Sequence, residues 1–116
     1  MLLVLTSSLF VTNVTHALLR GAWAYAAAFL TLVFTSWWYH ADGEYNDDAA
    51  FLCDQLAILA IVLIGLYYAM RLPPHLLWLA FGLFLTVCAA YYVGCNHAVV
   101  QLLCMASHHT IMAGIV

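Results

Sequence analysis

The chain has 116 residues, 68% of them hydrophobic and only 6% charged, with a formal net charge of −3. A soluble domain of this size has too small an interior to hide so much apolar surface, so the expected solvent is lipid and the expected fold an all-α integral membrane helical bundle. Its two basic residues exclude a nucleic-acid partner, because no cationic face can be assembled to meet phosphates.

A crossing helix needs roughly 20 apolar residues. Polar punctuation divides the chain into five such blocks, at 2–19, 22–40, 49–70, 74–93 and 96–116. The runs are continuous rather than alternating, which predicts helices and not a barrel, each helix satisfying its own backbone in lipid. The first block lacks a basic leader and keeps Asn13 and His16 inside an apolar run that reaches Leu19. It therefore reads as a first span and not a signal peptide. Asn13-Val14-Thr15 matches a glycosylation acceptor, but inside a span it is expected to be inert. Arg20-Gly21 leads into the second block, which ends on Ser36, Trp37, Trp38, Tyr39 and His40. An acidic loop follows with Asp42, Glu44, Asp47 and Asp48, and Asp54 stands just inside the third block. Arg71-Leu72-Pro73 turns the chain into the fourth block, where His75 is expected at a solvated interface. Gly94-Cys95 turns it into the fifth.

Connections this short make neighbouring helices antiparallel and give one transmembrane domain over residues 1–116. Arg20 and Arg71, the only basic residues, fall in the first and third loops, on the side expected to be cytoplasmic. The N-terminus, the acidic loop and the fourth loop then face the exterior or a lumen. Trp37, Trp38, Tyr39, Tyr91 and Tyr92 form an aromatic belt on that side. Cys88 and Cys104 are expected as small core residues. Cys53 and Cys95 both fall near the outer surface, where a disulfide is chemically possible but free thiols are the leading expectation.

Ionisable groups in lipid are expensive, so each one inside a span is a functional candidate. Ser36 and His40 are one turn apart on the second helix. Asp54 lies a turn into the third helix from the same side. His97 opens the fifth, with Gln101 one turn deeper on its face. Three helices thus bring these groups to one depth below the outer interface. The chemistry suggested is a zinc site. Neutral imidazoles bind zinc, and a catalytic zinc keeps one position open for water. A nearby carboxylate can take that water's proton, and a hydroxyl can hold it. The competing expectation makes His40 and His97 half-wet helix-end residues, with Asp54 satisfied by Ser36 or by backbone. His108 and His109 lie roughly 17 Å deeper than His97 and cannot share a metal with His40. They, Cys104, Asn13 and His16 are expected to serve hydrogen bonding between helices.

The runs FTSWWYHADG (34–43), LCDQL (52–56) and NHAVVQLL (96–103) together resemble the CREST superfamily. That group gathers alkaline ceramidases, progestin and adiponectin receptors and their relatives; the most similar branch is that of myomaker and the transmembrane protein 8 proteins. THALLRGAWAYAAAFLTLVFTSWWYH (15–40) has the look of the same branch. By position, Ser36 and His40 match the family's Ser-x-x-x-His at the end of the second span. Asp54, after Cys53, matches its third-span acid, and His97 matches the first His of its last-span His-x-x-x-His. In that family these groups bind zinc, and several members hydrolyse lipid amides or esters. Gln101 stands here where the family has its second last-span His. The five blocks, set against the family's seven spans, imply a shortened relative.

The resulting expectation is a zinc-dependent hydrolase of a lipid amide or ester at the outer interface. His40 and His97 are the expected ligands. Asp54 orients or deprotonates the water, Ser36 supports it, and Gln101 bonds to water or substrate. The alternative is a non-catalytic membrane protein, a degenerate relative or a remodelling or fusion factor, in which the polar cluster is structural. Membrane lipids are the expected partners; a homo-oligomer or partner helices are compatible with the pattern and not required by it.

Overall fold

A computed structural model describes residues 2–41, 48–94 and 96–115, and the regular structure among them is all helical. Asp42, Glu44, Asp47 and Cys95 lie outside the described residues, and with them the acidic loop and the Cys53–Cys95 pairing. The described elements are α1 (Leu2–Ser8), α2 (Val11–Leu19), α3 (Trp23–Ala41), α4 (Asp48–Ala69), α5 (Pro74–Tyr92) and α6 (His97–Ala113).

The first block, expected as one helix, is two. Between α1 and α2 the backbone tightens into i→i+3 bonds, Phe10 N to Ser7 O at 3.0 Å and Thr12 N to Leu9 O at 3.0 Å. Hydroxyl side chains flank the break and compete for backbone carbonyls: Ser8 Oγ donates to Val4 O at 2.7 Å and Thr12 Oγ1 to Leu9 O at 2.7 Å. Phe10, at the break, is buried and stacks on Phe29 of α3 with ring centroids 5.8 Å apart.

Each remaining boundary has a local cause. After α2, Gly21 takes φ +75°. Ala22 N then bonds Ala17 O at 2.9 Å and Gly21 N bonds Leu18 O at 3.1 Å, which satisfies the terminal carbonyls in a Schellman motif. Pro73 and Pro74 end α4's reach and open α5, where a missing N–H costs nothing. Asn96 caps α6 by accepting from Ala98 N at 2.8 Å.

The core forms where α3 meets α4. Tyr25, Ala26, Phe29, Leu32, Val33 and Ser36 make a buried stripe at helical spacing on α3. The facing stripe on α4 is Ala50, Asp54, Ala57, Ile61 and Gly65, mostly small, so the backbones can approach closely. The antiparallel register sets Ser36 beside Asp54 at one end and Tyr25 beside Gly65 at the other. α1 and α2 pack on α3 and on α6, while α5 packs chiefly on α6. That peripheral seat leaves Cys88 exposed rather than in the core, whereas Cys104 of α6 packs against the core as expected.

The two ends of the bundle differ in charge. Arg20 Nη1 donates to Ile115 O at 3.2 Å, and the Leu72 side chain, next to Arg71, lies against Gly114. Both arginines are therefore at one end. The first turn of α4 carries Asp48 at the other, with Asp54 below it. α4 and α5 are long and apolar enough, by length and composition, to cross a membrane.

Candidate functional site

At the acid-bearing end, Ser36 Oγ donates to Asp54 Oδ1 at 2.7 Å, and Thr35 Oγ1 donates to the same oxygen at 3.3 Å. Ser36 and Asp54 are only 3% and 4% exposed, so this is an enclosed contact between α3 and α4. A buried carboxylate oxygen without donors would be costly, and these hydroxyls supply them. His40, one turn beyond Ser36, is half-buried and sits in the electrostatic field of both Asp54 and His97. His97 opens α6, exposed, with its ring edge-on to Tyr91 at 6.2 Å. Ser36, His40, Asp54 and His97 therefore share one end of the fold, but only Ser36 and Asp54 are joined by a hydrogen bond.

Gln101 is directed elsewhere. Its Nε2 donates to Ser7 Oγ at 2.9 Å and its Oε1 accepts from the Thr6 hydroxyl, both on α1. Next to them, Trp37 Nε1 donates to Ser8 Oγ at 2.8 Å. The hydroxyl run Thr6-Ser7-Ser8 thus ties α1 to α6 and to α3. Neither this run nor Thr35 stood out in the sequence, because hydroxyls in helices so often bond their own preceding turn. The signal that could have found the run is three consecutive hydroxyls in an otherwise apolar block.

No protein-family model, curated protein or solved structure matches the chain. The resemblance to the CREST group rests on the motifs quoted above. Among the described residues, no group of three or more His, Cys, Asp or Glu side chains is close enough to hold a metal ion. Asp54 Oδ1 is engaged by two hydroxyls and Gln101 by α1, so the donors left at this end among the described residues are the imidazoles of His40 and His97 and the second oxygen of Asp54, which are not gathered into one group.

A second polar group lies nearer the arginine-bearing end. His16 and His109 meet through their Nδ1 atoms at 2.8 Å, so one ring donates and the other accepts. Thr12 Oγ1 lies 2.9 Å from His109 Nε2, and Asn13 Nδ2 donates to Met105 O at 3.3 Å. His108 turns the other way, with Nδ1 on the Tyr25 hydroxyl. These residues perform the inter-helix hydrogen bonding expected of them. His75 is exposed at the start of α5.

Proposed function

We propose that the chain is a multi-span membrane protein of non-catalytic type, in which the polar cluster at the acid-bearing end clamps α1, α3, α4 and α6 together. The observation that carries this is the enclosure of Asp54 by Ser36 and Thr35. A general base needs a carboxylate free to take a proton, whereas one oxygen of this carboxylate is held by two hydroxyls of the neighbouring helix. Insertion in lipid is supported by α4 and α5 and by the apolar side chains turned outward: Leu63 is 58% exposed, Trp78 71% and Phe84 47%. With both arginines at one end, the positive-inside rule puts that end in the cytoplasm and the clamp on the outer side. Flotation of the chain with phospholipid vesicles after alkaline washing tests the insertion; recovery of the chain in the washed pellet, with no vesicles, would contradict it.

The second reading is the zinc-dependent lipid hydrolase, favoured by His40 lying within electrostatic reach of both Asp54 and His97. The two readings part at Gln101. On the clamp reading, Gln101→His adds a third imidazole one turn from His97 and raises bound zinc from none to about one per chain. It also loosens α1, since the bonds to Thr6 and Ser7 are lost. Zinc content by atomic emission, on protein without a His tag, reads the outcome. Equal zinc in the native and Gln101→His chains would count against the clamp.

A further inference from the structure

We infer that the cleft between α4 and α5 is a binding site for a lipid that carries a carbonyl oxygen. α5 leans on α6 and leaves a wedge of about 440 Å³ against α4. Leu66, Leu77, Phe81 and Phe84 line its walls, and Ser107 and His108 of α6 line its floor. The volume falls within the range of small-molecule sites, and so does the pattern of apolar walls with a few convergent polar groups.

The floor decides the class of ligand. Ser107 and His108 are each only 6% exposed. The Tyr25 hydroxyl, fully buried, makes one side-chain hydrogen bond, to His108 Nδ1. The phenol therefore donates and Nδ1 accepts, which leaves the ring proton on Nε2. Neither Nε2 nor Ser107 Oγ has a hydrogen-bond partner among the described residues, yet the one fully enclosed orphan there is Asn13 Oδ1. Nε2 and Oγ must then reach open space, and the open space beside them is the cleft. Two donors bordering an apolar cleft call for an acceptor oxygen on an otherwise apolar molecule. In a membrane-inserted chain, a reading this inference rests on for its supply of ligand, the cleft opens sideways to lipid. The carbonyl of an acyl chain is the acceptor that lipid provides.

The test uses the full chain in detergent micelles with a photoreactive palmitic acid methyl ester, and as control a photoreactive hexadecane that lacks the carbonyl. Cross-linked residues are mapped by mass spectrometry. The ester is expected to label the cleft walls in preference to the outward faces at Leu63 and Trp78. His108→Asn keeps an acceptor for Tyr25 and removes the Nε2 donor, and is expected to lower cleft labelling about fivefold. His108→Gln, which restores a donor near the Nε2 position, recovers it. Phe81→Trp narrows the cleft from its exposed wall and lowers labelling without touching the floor. Hexadecane labelling is expected to be indifferent to His108. Ester labelling spread evenly over all outward faces, or unchanged in both His108→Asn and Phe81→Trp, would overturn the assignment. Because the micelle assay needs no bilayer, failed vesicle flotation with cleft labelling intact would indict insertion and leave the cleft standing.

Discussion

Asp54→Ala is expected to destabilise the chain by about 2 kcal/mol, while Asp54→Asn changes its melting temperature little. The estimate follows from where the stranded hydroxyls can go. Thr35 Oγ1 also donates to Leu32 O at 3.1 Å, so it keeps a partner when the carboxylate is removed. Ser36 Oγ has no such second bond and is 3% exposed, so its donor is left in an apolar contact. One unsatisfied buried group costs about 1–3 kcal/mol, and the lost side-chain volume adds to it. Asn keeps the accepting oxygen and the shape, and so keeps the clamp. Ser36→Ala is expected to cost less than Asp54→Ala. The double substitution should cost less than the sum of the two, since each single change already breaks the same bond. Thermal unfolding in detergent, followed by circular dichroism, measures all four. A hydrolase would answer differently: Asn in place of a general base would abolish turnover as completely as Ala, whatever the stability.

Gly65→Ala is expected to destabilise by about 1–3 kcal/mol, although Ala is intrinsically the better helix former by about 1 kcal/mol. A methyl group at Gly65 would stand 3.0 Å from the Tyr25 hydroxyl and 3.0 Å from Cε1 of His108, closer than an ordinary contact. Tyr25 stacks on Tyr68 at 5.6 Å and tilts against Phe29 at 5.2 Å, and His108 stands edge-on to Phe29 at 5.0 Å and is bonded to the Tyr25 hydroxyl, so making room for the methyl disturbs both rings together. Gly82 of α5 provides the control, because a methyl there meets nothing within 4 Å. Gly82→Ala is expected to be neutral or stabilising by up to about 1 kcal/mol. The same chemical change with opposite sign in two helices would show that the Tyr25–His108 contact, and not helix propensity, governs this part of the fold. Equal effects at both glycines would remove that contact from the account.

Most of the architecture was legible because it depends on block length and on punctuation. Gly21, Pro73-Pro74 and Asn96 mark helix ends by chemistry that any reader of the sequence can apply. The meeting of Ser36 and Asp54 was legible for a related reason: both stand a short, countable distance from the same inter-helix connection, on antiparallel neighbours. The direction of Gln101 was not. Spacing put it on the face of His97, but its partners are hydroxyls on α1, and helix packing rather than periodicity selects them. The break at Leu9-Phe10 escaped for a similar reason, since an apolar pair gives no breaker signal and the cause lies in the flanking hydroxyls. Cys88 was misplaced because mid-block position does not say which side of a peripheral helix faces its neighbours. His108 read as one of several polar residues in a stripe. Its bond to Tyr25 and its place on the floor of the cleft needed the register of three helices at once.

The clamp is tested most directly by the zinc content per chain of native, untagged protein purified in detergent, measured beside His40→Ala and His97→Ala. The clamp predicts far less than one zinc per chain, the same in all three. About one zinc in the native chain, lost in both variants, would contradict it and establish His40 and His97 as ligands of a metal centre.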